Sequence, residues 1–358
     1  MKIHPRSALD QVRAATHGGF HADEWSALGS VIDFSSNVNP FGVSSCVREA
    51  MARVPIERHP DPEARELRET LAVRLHLSGE QVIVGNGSLE LIRAVAIAYV
   101  REDDTALVIG PTFGEYRVAA QVMGARIEQI DASASADFRL DVDAVAAHVA
   151  AERPRIAFVC NPNNPTGGYL TRDQIAKLLA ASDETLWVLD EAFVAFADGA
   201  WSSVELLRRF ENLVVMHSMT KDYAIPGLRL GYAAAHPDVI AALAKVRAPW
   251  SVNSFAQAAG LAALSDEVFL RETLGQIRAA SSELRGAISQ LGWRVMPSAV
   301  HFFLVEVGAA STFRSSLAGQ GCLVRDATSF GLPAFVRIAT RTPAENARLI
   351  AAMKMLSK

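Results

Sequence analysis

Between about residue 80 and residue 235, short apolar runs alternate with helix-patterned segments, and this alternation constrains the fold more than any other feature. Gln81-Val82-Ile83-Val84 leads through a Gly-Asn-Gly turn into a helix expected over 89–100. The run at 105–109 passes through Gly110-Pro111 into a helix over 116–123. The run at 156–160 is followed by an Asn/Pro loop and a helix over 172–181. Residues 185–189 end at Asp190, and residues 213–216 end before Ser218. Runs this uniformly apolar suit strands buried on both faces, which predicts an α/β domain around a mostly parallel sheet.

The last hundred residues follow another pattern. A long helical stretch over 256–291 precedes strand candidates at 299–305 and 336–339 and a closing helix over 344–356. We read a smaller α+β domain, formed by 1–37 with 251–358, beside a large domain spanning 38–250. A chain of 358 residues, half of them hydrophobic, is long enough for both. Its net charge of −4 gives no reason to expect nucleic acid or an anionic membrane as a partner. Cys46, Cys160 and Cys322 show neither metal-ligand spacing nor a disulfide framework, which suits a reducing compartment. The first residues lack the apolar core of a signal peptide, and 89–100 is too short to span a bilayer. The expectation is a soluble, cytoplasmic protein.

In an open parallel sheet, ligands bind beyond the carboxyl ends of the strands, and polar signals cluster at those ends here. Gly85-Asn86-Gly87-Ser88 permits a tight turn and offers backbone N–H groups to a phosphate; Ser88 also suits a plain helix cap. Phe113 can stack on a planar ring or belong to the core. Asn164, in Asn161-Pro162-Asn163-Asn164-Pro165-Thr166-Gly167, can donate to a phenolate oxygen or serve a simple Asn-Pro turn. Asp190 ends an apolar strand, so its carboxylate needs a partner: a pyridinium N–H, a salt bridge or a helix cap. Lys221 lies in His217-Ser218-Met219-Thr220-Lys221, eight residues before Arg229. That spacing suits an amine that condenses with an aldehyde cofactor whose phosphate is held by Ser218 and Arg229.

In this order, the residues resemble the fold-type I pyridoxal-phosphate (PLP) enzymes, specifically the class I/II aminotransferase family, along nearly the whole chain. The resemblance implies a large domain with a mostly parallel seven-stranded sheet and helices on both faces, plus a smaller α+β domain. It implies pyridoxal 5′-phosphate bonded to Lys221, with Asp190 on the pyridine nitrogen, Asn164 on the ring oxygen and Phe113 on the ring face. Gly87, Ser88, Ser218 and Arg229 would hold the phosphate. His59 stands where a partner subunit's tyrosine usually reaches it, so a homodimer is also implied. Arg337 matches the arginine that clamps a substrate carboxylate.

Within the family the chain looks most like two groups, histidinol-phosphate aminotransferase and threonine-phosphate decarboxylase. Arg325 is similarly placed to an arginine that binds the substrate phosphate in the former. His17-Gly18-Gly19 resembles the latter's N-terminal signature, in which the histidine approaches the substrate phosphate, and the 32–40 block with Asn37 resembles its next segment. Phe193 stands where aminotransferases usually carry tyrosine. On these segments the expected activity is decarboxylation of a phosphorylated amino acid, as in cobalamin biosynthesis. The alternative is transamination of histidinol phosphate or a related amino acid with 2-oxoglutarate and glutamate. Phe20 departs from the decarboxylase pattern, and Phe20, His21 and Trp25 suggest an arm at a subunit interface.

Overall fold

The computed structural model describes residues 4–19 and 31–356. Its strands are β1 (Ile32–Asp33), β2 (Val82–Gly85), β3 (Thr105–Gly110), β4 (Arg126–Asp131), β5 (Ile156–Cys160), β6 (Leu186–Asp190), β7 (Leu213–Ser218), β8 (Gly231–Ala235), β9 (Arg294–Val295), β10 (Phe302–Glu306), β11 (Cys322–Leu323), β12 (Arg325–Asp326) and β13 (Phe335–Ala339). The helices are α1 (Ser45–Ala52), α2 (Arg65–Leu75), α3 (Ser88–Tyr99), α4 (Glu115–Val122), α5 (Val142–Glu152), α6 (Arg172–Leu179), α7 (Pro237–Val246), α8 (Ser254–Ser265), α9 (Glu267–Gln290), α10 (Ala310–Ala318) and α11 (Pro343–Leu356). Among the described residues no helix is long and apolar enough to cross a membrane.

Seven strands form the large sheet in the order β2-β8-β7-β6-β5-β3-β4. All neighbours are parallel except β8, which is antiparallel to both β2 and β7. Alternate residues of the central strands feed two cores. Val108, Phe158 and Val188 pack with Leu91, Val95 and Leu243, while Leu107, Val159 and Leu189 pack with Val149, Ile175 and Leu178. Helices therefore cover both faces, as the unbroken apolar runs require.

Three departures from the sequence expectation have simple causes. β4, with sequence RIEQID, lies at the sheet edge and exposes alternate side chains, so it presents no apolar run. β8, with sequence GYAAA, is buried but rich in alanine, a weak strand former. The 256–291 stretch divides into α8 and α9 at Asp266, whose carboxylate accepts from the Phe269 amide and from Ser44 Oγ. That acidic N-cap starts a new helix instead of continuing the old one.

The smaller sheet is antiparallel, in the order β12-β13-β10-β9, and shares a core with α9, α10 and α11 through Leu284, Phe313 and Leu349. β1 pairs in parallel with β11, so the N-terminal segment adds to this side of the molecule. Asn39 ties it to the rest. Its amide donates to the Lys221 carbonyl at 2.8 Å, and its side chain donates to Asp222 O and Thr273 Oγ1, both at 3.0 Å.

Gly231 opens β8 against the backbone of two neighbouring segments. A Cβ there would lie 2.6 Å from the Ser88 amide nitrogen and 2.9 Å from the His217 carbonyl oxygen. Both obstacles are backbone and cannot swing aside. Gly231→Ala is expected to destabilise the protein by about 1–3 kcal/mol, the range for overpacking. A denaturation midpoint equal to that of the unsubstituted protein would refute this close crossing.

Candidate active site

The carboxyl ends of β2, β3, β5, β6 and β7 reach one edge of the large sheet. Because β8 runs the other way, its amino end, just after Arg229, lies there too. A cavity of about 450 Å³ opens at this edge. Ser88, Ser218 and Arg229 lie on its wall, with Phe113, Asn164, Asp190 and Lys221; His17, Asn37 and Arg337 are contributed by the N-terminal segment and β13.

Three residues expected at the site are not on this wall. Gly87 adopts φ +77°, and a Cβ there would come within 2.6 Å of Arg229 Nη2, so its contribution is room for the guanidinium. Arg325 is buried behind the wall, where Nη2 donates to the Thr16 carbonyl at 2.8 Å and to Ser329 Oγ at 2.7 Å. Strand pairing sets it opposite Arg337. His59 stacks on exposed Trp250 with centroids 4.9 Å apart, outside this chain's cavity. Phe20, His21 and Trp25 lie outside the described residues.

Asp190 is buried, and desolvation raises its pKa against the pull of the Tyr116 hydrogen bond, the Ala192 amide and Lys221. Tyr116 Oη donates to Oδ2 at 2.8 Å while its ring stacks on Phe158 at 5.3 Å. The sequence reading missed this partner, because Tyr116 is the second residue of α4 and reads there as ordinary helix. The Lys221 amine is pushed down to about 8, first by burial and then by Arg229 and Arg337, with Asp190 opposing. Arg337 is also buried and donates to the Ser35 carbonyl and to Asn164 Oδ1. Asp33, also missed, fixes that turn by accepting from the Ser35 amide at 2.8 Å and from Ser36 Oγ at 2.6 Å.

The profile of aminotransferase class I and II matches residues 29–353. The chain belongs to this family. It is 36% identical to histidinol-phosphate aminotransferase 2 of Ralstonia nicotianae, over 90% of this chain and 88% of that protein. The crystal structure of histidinol-phosphate aminotransferase from Sinorhizobium meliloti in complex with pyridoxal-5′-phosphate superposes with a TM-score of 0.88, at 22% identity, covering 100% of this chain and 98% of that one. L-threonine-O-3-phosphate decarboxylase from Porphyromonas gingivalis superposes at 0.77, with 28% identity over 90% and 98%.

These findings correct the expected reaction. Relatives 31–36% identical over nine-tenths or more of this chain are histidinol-phosphate aminotransferases, so the carboxy-lyase reading and its link to cobalamin are withdrawn. Phe193 had favoured decarboxylation, but the fold gives it a packing reason. It is buried edge-on against Phe302 at 4.8 Å, in a cluster with Phe196 and Ile277.

The cofactor is pyridoxal 5′-phosphate, and the residues fit it. Hydroxyls of Ser88 and Ser218, the amino end of α3 and the Arg229 guanidinium would supply phosphate donors at one end. A buried carboxylate on the floor suits a pyridinium N–H, and an amine of lowered pKa suits condensation with an aldehyde. On the opposite side, Asn37 Oδ1 is buried without a hydrogen-bond partner among the described residues.

Lys221 Nζ in cofactor-free protein should react with an amine reagent with a midpoint near pH 8, where an ordinary lysine titrates near 10.4. Among the described residues Asp190 favours the charged amine, so Asp190→Asn should move the midpoint lower. Mass-resolved labelling against pH checks both, and a midpoint above pH 10 in the unsubstituted protein would contradict the burial.

Proposed function

We propose that this protein transfers the amino group of histidinol phosphate, or of a related amino acid, with 2-oxoglutarate and glutamate as the second pair. One observation carries this reading. Lys221 faces a cavity in which buried Arg337 has only carbonyl oxygens as hydrogen-bond partners among the described residues, so its charge is free to pair with an incoming anion. The family and the histidinol-phosphate aminotransferase relatives support it.

Position in the cavity and the family resemblance support the following roles. Bound PLP supplies an electron sink conjugated with the substrate nitrogen. Asp190, oriented by Tyr116, holds the pyridine nitrogen protonated. Asn164 donates to the ring oxygen and Phe113 covers the ring face. Ser88, Ser218 and Arg229, with the space left by Gly87, hold the cofactor phosphate. Lys221 secures the cofactor and then moves the proton at the substrate carbon bearing the amine; a lowered pKa leaves part of it free to accept that proton near neutrality. Arg337 receives the carboxylate of glutamate, and His17 and Asn37 complete the substrate side. Arg325 stands behind Arg337 and adds positive potential there.

We further infer that the chain works in the cytoplasm as a homodimer whose interface takes in the His59–Trp250 surface, with Ile56 79% exposed and Trp250 49% exposed. Sedimentation at twice 38.5 kDa supports this, and a monomer at micromolar concentration refutes it.

Histidinol phosphate with 2-oxoglutarate should yield glutamate in equal amount to the amine consumed. Lys221→Ala should lower the rate at least about a hundredfold, the low end for a positioned acid–base. Arg337→Ala should raise KM for glutamate more than it lowers kcat. Absence of glutamate from wild-type reactions overturns the reading.

A further inference from the structure

Behind the wall that carries Asp190, Ser218 and Lys221 lies a second, closed chamber of about 50 Å³. Glu191, His217 and Asp222 line it, each the chain neighbour of one of those three residues, together with Tyr223, Tyr232 and Arg74. None of these six has a part in the roles above. Glu191, His217 and Asp222 border the chamber and not the cofactor cavity, whereas Ser218 borders both.

At this end of the sheet β7 outruns β6. Their register ends at Asp190 beside Met216, and the Glu191 amide then donates to the Met216 carbonyl at 2.8 Å. His217 and Ser218 continue past that point. There Glu191 Oε2 comes within 3.3 Å of His217 Nε2. That nitrogen has no well-aligned hydrogen-bond partner among the described residues, so Glu191 is the group that answers its polarity. Glu191 is itself anchored, because Oε1 accepts from the Ser203 amide at 2.7 Å and Oε2 from Ser202 Oγ at 2.8 Å. The imidazole also stacks on Tyr232 of β8, with centroids 4.8 Å apart. A side-chain contact thus continues the link between the strands where the backbone register stops.

Glu191 is 2% exposed and His217 8% exposed. Burial raises the Glu191 carboxyl against the pull of Ser203 and Ser202, with Asp190 adding to the rise, and burial lowers His217. Neither charge is stable there alone, whereas one proton shared by the two leaves the pair without net charge. Asp222, the other acid of the chamber, accepts from the Tyr223 amide at 3.1 Å, and Arg74 is the cation that bears on it. Removing one member of the Glu191–His217 pair strands the other in a closed space, and the end of β7 is what can shift to relieve it. That end carries Ser218.

We propose that Glu191 and His217 are positioning residues that fix the end of β7, so that Ser218 presents its hydroxyl to the cofactor phosphate. This rests on the phosphate role given to Ser218 and goes beyond it. The pair touches no cofactor atom and acts through the backbone of the strand.

The experiment titrates cofactor-free protein with PLP and, in parallel, with pyridoxal, which has the aldehyde but lacks the phosphate. Absorbance of the bound aldehyde reports both. His217→Leu nearly keeps the side-chain volume and removes both ring nitrogens. It is expected to raise Kd for PLP roughly tenfold, the scale of a lost hydrogen bond to a charged group, and to leave pyridoxal within about twofold. His217→Gln, which keeps a donor for Glu191, should stay within about threefold of wild type for PLP. Glu191→Gln combined with His217→Leu should be no worse than His217→Leu alone. Ser202→Ala withdraws one donor from Glu191 and should weaken PLP about twofold, so the test does not depend on the folding of His217→Leu.

Equal weakening of PLP and pyridoxal marks general loosening of the site and overturns the proposal. Unchanged PLP affinity in both His217→Leu and Ser202→Ala overturns it as well. Ser218→Ala separates the two readings. If it leaves PLP affinity unchanged, the phosphate role of Ser218 fails; if it weakens PLP while His217→Leu does not, the role of the pair alone fails.

Discussion

Everything at the edge of the large sheet depends on how tightly β8 is pressed between β2 and β7. The antiparallel strand brings the segment after Lys221 back to the end where that segment began. Gly231 allows the crossing against the Ser88 amide and the His217 carbonyl. Arg229, two residues earlier and at φ +56°, is thereby delivered to the hollow left by Gly87. A cluster of a helix amino end, two hydroxyls and a guanidinium follows from backbone proximity, before any long-range electrostatic argument is needed.

Within that frame, charge is distributed unevenly. Asp190 is the anion on the floor and Tyr116 is its steady hydrogen-bond donor, whereas Lys221, Arg229 and Arg337 crowd the walls. Mutual repulsion and burial make these cations costly, which is why the lysine loses its proton readily and why Arg337 is braced by two carbonyls. Anionic ligands relieve the repulsion. The cavity therefore spends folding stability on readiness to bind, a trade common at active sites.

The central strands and the polar residues at their ends were legible because a parallel sheet buries both faces and puts chemistry at its carboxyl edge. β4 and β8 were not, since one has a polar edge face and the other is mostly alanine. The break at Asp266 was hidden by an apolar pattern that continues across it. At the site, Lys221, Asp190, Asn164 and Arg337 come together, but Tyr116 works through Asp190, far away in sequence, and Asp33 through Ser35 and Ser36 in a polar turn that gave no separate signal. Arg325 shows the reverse: strand pairing puts it beside Arg337, yet its donors are taken by Thr16 and Ser329. The reaction was misjudged at Phe193 because one aromatic side chain can answer to packing or to catalysis, and here Phe302 accounts for it.

The Asn39 contacts carry a mechanical meaning. One residue binds the backbone of the lysine turn at two successive carbonyls and grips the first third of α9 through Thr273. The turn that carries Lys221 and the N-terminal segment are thus fastened by a single side chain and a single amide. Loosening of either one transmits to the other without passing through the cavity, so the two belong to one cooperative unit of local unfolding. Loss of grip on the substrate and slackening around the lysine then become the same event.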